Sequence, residues 1–73
     1  MAGINMRVRE TRELEKLESL CSLYSTKKVI TGAYNLVDDH EEILSRILDY
    51  VRQYGNNTRV QRMLEALGPR PDV

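Results

Sequence analysis

Residues 38–55 read Asp38-Asp39-His40-Glu41-Glu42-Ile43-Leu44-Ser45-Arg46-Ile47-Leu48-Asp49-Tyr50-Val51-Arg52-Gln53-Tyr54-Gly55, and the fold class follows from this stretch. Ile43, Leu44, Ile47, Leu48, Val51 and Tyr54 recur at helical spacing and form one unbroken apolar face. The acidic run ahead of them suits a helix start, where unsatisfied N–H groups favour negative charge. Asp38 with Glu41, and Asp39 with Glu42, have the spacing of a capping box with Asp in place of Ser or Thr. Gly55 supplies a residue free to adopt the left-handed conformation that closes a helix. A helix with one apolar face must be covered by other elements.

Downstream, Asn56-Asn57 turns the chain and Thr58 with Gln61 makes a second capping box. Val60, Met63, Leu64 and Leu67 follow, and Gly68-Pro69 ends that helix. Upstream, Leu14, Leu17, Cys21 and Tyr24 recur at intervals of 3, 4 and 3, with Leu20 and Leu23 widening the stripe. Thr11 is placed to cap this segment, and Glu13 and Glu15 fall in its first turn, which predicts a helix over about residues 11–24. Ser25-Thr26 is expected to break it and to cap the next element. Residues 27–37 admit two readings. Val29, Ile30, Ala33, Tyr34 and Val37 fit a helix, yet Gly32 costs about 1 kcal/mol inside one, and Val29, Ile30 and Thr31 are β-branched. A short strand pairing with Met6–Arg9 is the alternative. Residues 1–9 show no helical period, and Met6 and Val8 alternate with Arg7 and Arg9 as in an extended arm. The expected architecture is all-α: a compact bundle of three to four short helices over residues 11–68, an extended, flexible basic N-terminal arm over 1–10, and a loose tail over 69–73.

At 73 residues the chain is one small domain, and its core, without Trp or Phe, supplies only about 3–5 kcal/mol of net stability. Such a core leaves little room for an enclosed substrate cleft. Eleven basic and eleven acidic residues balance, so contact with nucleic acid or membrane would have to come from local patches. The single Cys21 forms no internal disulfide, Met1 to Arg12 holds no apolar run of signal-peptide length, and no run approaches a membrane span. A cytoplasmic protein without membrane association is expected.

Few residues suggest chemistry. His40-Glu41 begins like a zinc-protease helix, but Leu44 stands where the second His is required. The Asp spacing does not fit a calcium loop. Cys21 lies in an apolar stripe, as a packed thiol does. No Ser, Cys or His is paired with a base, and no glycine-rich phosphate loop is present. The expectation is a protein without catalytic residues, metal, cofactor or small-molecule substrate.

Basic residues say more. Arg7, Arg9 and Arg12 gather at the N-terminal end, and Arg52, Arg59 and Arg62 surround the last turn. With Met6 and Val8 they form the candidate partner-binding set. A helix-turn-helix DNA reader over residues 43–67 is a competing reading. Gly55 is in place and Arg59 and Arg62 fall on the second helix, but Val51 and Asn56 stand where a small and an apolar residue are wanted. A generic protein adaptor is a third. In its length, its arm ending Met6-Arg7-Val8-Arg9 and its charge-segregated helices, the chain resembles small phage-encoded transcription regulators of bacterial RNA polymerase, of the Xanthomonas-phage inhibitor and antiterminator type. The resemblance implies binding to the β′ subunit of the host polymerase, inhibition of initiation, readthrough at terminators and possible nucleic-acid contact within that complex.

Overall fold

The computed structural model describes residues 2–31 and 36–71, with side chains for 7–30 and 36–71. These residues form three helices and no strand: α1 (Ala2–Thr31), α2 (Val37–Tyr54) and α3 (Thr58–Leu67). The all-helical expectation holds at the level of class, with three helices.

One correction concerns the arm. Ala2–Glu10 is helical and continuous with the rest of α1, so no extended arm is formed there. The Met6–Arg9 alternation covers only four residues, and Arg7 to Arg12 contains no Gly or Pro. Once Leu14–Tyr24 is fixed by packing, each further residue joins the helix at the low cost of propagation. Thr11 is therefore an interior residue. The same holds at the other end, where Ser25-Thr26 breaks nothing. Thr26 Oγ1 donates to the Ser22 carbonyl at 3.1 Å, which settles its hydroxyl inside the helix. Residues 27–31 are helical, which removes the strand alternative for them; the remainder of that question, Gly32 to Asn35, lies outside the described residues.

The caps also differ from expectation. Leu36 precedes α2 without a side-chain cap bond, so the Asp38/Glu41 and Asp39/Glu42 boxes are not formed; Asp38 and Asp39 sit in the first turn and act through the helix dipole. The Thr58/Gln61 box is not formed either. Asn57 caps α3, its Oδ1 accepting from the Val60 N–H at 2.9 Å, and Thr58 is the first helical residue. Gly55 does stop α2, at φ 95° and ψ 171°, a positive-φ but extended conformation rather than the left-handed helical one. Its N–H donates to the Val51 carbonyl at 2.8 Å.

The core draws one stripe from each helix. Leu14, Leu17, Cys21 and Tyr24 come from α1, Ile43, Ile47 and Tyr50 from α2, and Val60, Met63 and Leu67 from α3, with Leu36 ahead of α2. Leu48 is a second correction: it is 49% exposed, whereas Tyr50 is buried. The packed face of α2 follows His40, Ile43, Ile47 and Tyr50, a repeat of 3, 4 and 3, and Leu48 falls outside it. The Glu10–Tyr50 and Lys27–Asp39 contacts set α2 antiparallel to α1, and His40–Gly68 sets α3 antiparallel to α2. The molecule measures 46 × 19 × 19 Å, and α1, at thirty residues, runs its length. Pro69–Pro71 carry no helix, and Arg70 pairs with Glu41 at 2.9 Å; residues 72–73 lie outside the described residues.

Candidate interaction surface

The candidate basic residues separate into two groups once the helices are in place. Arg7, Val8, Arg9 and Arg12 are all exposed on α1, while the side chain of Met6 lies outside the described residues. On a helix, Arg9, Arg12 and Lys16 at i, i+3 and i+7 share one face. They meet Gln53 and Tyr54 of α2 around a recess of about 250 Å³. Arg7, Val8 and Arg12 border a second recess with Thr11 and Glu15. Among the described residues Arg7, Arg9, Arg12 and Lys16 form no ion pair. Lys16 could have been found from Arg12, its i+4 partner in the expected helix, whereas Gln53 joins the group only through the packing of α2 on α1.

The second group is differently occupied. Arg59 reaches from α3 to α1, where Nε donates to Glu18 Oε2 at 2.9 Å and Nη2 to Oε1. This forked bond holds the Glu18 carboxyl below its ordinary pKa, and it raises that of Arg59. Arg59 is therefore a clasp between helices rather than an open contact. Arg52 is exposed and lies 3.9 Å from Asp49 one turn back, the geometry of an ordinary surface pair. Arg62 is exposed on the Arg59 side of the molecule and borders a recess with Ser22, Ser25 and Met63. The structure thus brings Arg9 and Arg12 together and places Arg59 and Arg62 elsewhere.

The groups considered for chemistry have structural neighbours. His40 is buried within the core, its ring steeply tilted against that of Tyr24 at 5.8 Å between centroids. Its Nε2 is 3.0 Å from the Gly68 carbonyl oxygen; a carbonyl only accepts, so Nε2 carries the proton. The Cys21 thiol is buried, and burial pushes its pKa up, with Glu18 adding to the effect. Burial likewise raises Tyr50, whose hydroxyl donates to Glu10 Oε1 at 3.3 Å. Among the described residues no group of three His, Cys, Asp or Glu is placed to hold a metal ion, and no helix is long and apolar enough to cross a membrane.

For the helix-turn-helix alternative, Val60, Met63 and Leu67 of α3 face inward, and Arg59 and Arg62 lie on its outer half. Arg59 would have to leave Glu18 before it could meet a base edge. No protein family, curated protein or solved structure matches this chain.

Proposed function

We propose that the chain is a non-enzymatic regulator that binds bacterial RNA polymerase at the β′ subunit, inhibits initiation and promotes readthrough at terminators, acting in the cytoplasm of the host cell. The observation that supports a macromolecular contact is the contrast in arginine pairing. Arg46, Arg52, Arg59 and Arg70 each have a carboxylate, whereas exposed Arg7, Arg9 and Arg12, and Arg62 on α3, have none among the described residues. Unpaired guanidinium forks on a rigid helix are suited to carboxylate or phosphate groups of a partner. The choice of polymerase rests on the resemblance described above. Arg59 leaves the proposed contact set because of its bond to Glu18.

The test is Arg7→Ala/Arg9→Ala. Both side chains are exposed, so the melting temperature should stay nearly unchanged. Polymerase capture and inhibition in a purified transcription assay should weaken by about 2–5 kcal/mol, the usual loss for a charged contact at a buried interface. Retained binding and inhibition by this variant would remove these arginines from the mechanism. Failure of the unmutated chain to bind polymerase would end the reading. A DNA-binding regulator using residues 43–67 is the second reading, supported by the turn at Gly55–Asn57 and by exposed Arg62. Binding to random duplex DNA that falls steeply with salt would favour it.

A further inference from the structure

Three adjoining recesses run along the seam of α1 and α2. The first, about 250 Å³, is bordered by Arg9, Arg12 and Lys16. Lys16 and Gln53 continue into the second, about 240 Å³, which has Leu17, Leu20 and Tyr50 in its lining. Leu20 is shared with the third, about 170 Å³, where Leu23 and Ile43 add apolar surface. From Arg9 to Leu23 is fourteen steps of a helix, or about 21 Å. The result is one elongated groove: Glu13, Arg46 and Asp49 also border the middle recess, and its exposed apolar surface gathers toward Leu20 and Leu23. Leu23 is 57% exposed beside it, and Ile30 further along α1 is 75% exposed.

The charges along this groove are uneven. At the far end Lys27 pairs with Asp39 at 3.6 Å and Arg46 with Glu42 at 3.1 Å, so cations and anions offset each other. At the near end Arg9, Arg12 and Lys16 have no ion pair among the described residues, and Glu13 is the one acid lining that recess. An occupant that matches both features has an apolar stripe and excess negative charge at one end.

We propose that the α1–α2 groove receives an amphipathic helix of the partner protein, its carboxylates over Arg9, Arg12 and Lys16 and its apolar residues against Leu20 and Leu23. This deepens the protein-binding reading above and rests on it. A helix laid in a groove presents anchors at i, i+3 or i+4, and i+7, and about 14–18 residues would span the length available. A second copy of this chain is a poorer occupant. Its acidic helix start, Asp38–Glu42, leads into Ile43, Ile47 and Tyr50, which its own core already buries.

The experiment is a selection on the full chain from a displayed library of helical peptides, with Leu fixed at the anchor positions and the rest randomised. Recovered peptides should carry Asp and Glu gathered at one end. Amide shifts on adding a synthetic copy should map to Lys16, Leu20, Leu23 and Gln53. Leu23→Glu, at an exposed helical position, should keep the melting temperature and lose at least about tenfold in peptide affinity, equivalent to about 1.4 kcal/mol. Arg12→Glu should do the same and relax the acidic preference. The proposal is overturned if no recovered peptide distinguishes the parent from Leu23→Glu. Binders without acidic bias, shifts confined to residues outside the groove, or self-association abolished by Leu23→Glu would overturn it equally. Polymerase capture separates the two readings. Selected helices without polymerase binding end the polymerase reading and leave the groove. Polymerase bound alike by the parent and Leu23→Glu, with no helix selected, ends the groove and leaves the polymerase reading.

Discussion

Ile47 and Leu48 are neighbours of similar size on one helix, and the bundle treats them differently. Ile47 is 0% exposed within the core, and Leu48 is 49% exposed. Ile47→Ala should therefore cost about 2–5 kcal/mol, because a close-packed core does not collapse around the lost methyl groups. Leu48→Ala should cost less than about 1 kcal/mol, as outward substitutions do. Urea titration of both variants measures the difference, and equal losses would place Leu48 in the core. This distinction was only half legible in the sequence. The pattern Ile43, Leu44, Ile47, Leu48, Val51 marks a broad apolar arc without naming its centre. The centre is marked by His40 and Tyr50, which continue the 3-4 repeat at both ends of Ile43 and Ile47. Polar atoms on those two side chains obscured the signal, since each needs a partner that only the assembled helices provide: Gly68 for His40 and Glu10 for Tyr50.

At the scale of elements, α3 has ten residues, too few for a helix to persist by itself in water. Its buried face and the Arg59–Glu18 clasp hold it to α1. Glu18 ionises more readily in the folded chain than in the unfolded one, because the Arg59 hydrogen bonds favour its charged form. The stabilisation is then fully present above the unfolded pKa and is lost as pH falls through the lower, folded value. Thermal melts across the acidic range should show this loss in the parent and a smaller one in Glu18→Gln. Arg59→Gln should lower neutral-pH stability only slightly, as expected for a largely exposed pair, and leave the proposed polymerase contact unaffected. Equal acid sensitivity of parent and Glu18→Gln would remove the clasp as a cause. The three helix cores were readable from periodicity because burial repeats with the helix turn. The boundaries were not. Ser25-Thr26 has the composition of a break, but the Thr26 hydroxyl bonds back to Ser22 once the preceding turn exists. Half-buried Glu10 continues the 3-4 repeat back from Leu14, yet a carboxylate does not read as a stripe residue until Tyr50 is seen above it.

On the scale of the molecule, one thirty-residue helix serves as the spine and two shorter ones pack along its middle. The candidate surface was legible as composition, with three arginines at one end. It was only partly legible as geometry, since the register that joins Arg9 to Arg12 and Lys16 depends on Arg9 being helical. That arrangement also gives the chain a built-in reporter. Cys21 is the single thiol, it faces the seam of α1 with α3, and burial disfavours its reactive thiolate. A disulfide reagent in excess should consequently label the native protein far more slowly than the urea-unfolded chain. Where reclosing outruns labelling, the ratio of the two rates equals the fraction of molecules whose seam stands open. Labelling of Ile47→Ala should accelerate by the same factor as its unfolding equilibrium constant rises, if opening the seam means unfolding the whole chain. Acceleration by a smaller factor would show that α3 detaches while α1 and α2 stay together. The stopwatch is already in the wild-type sequence, and reading it requires no dye, tag or added residue.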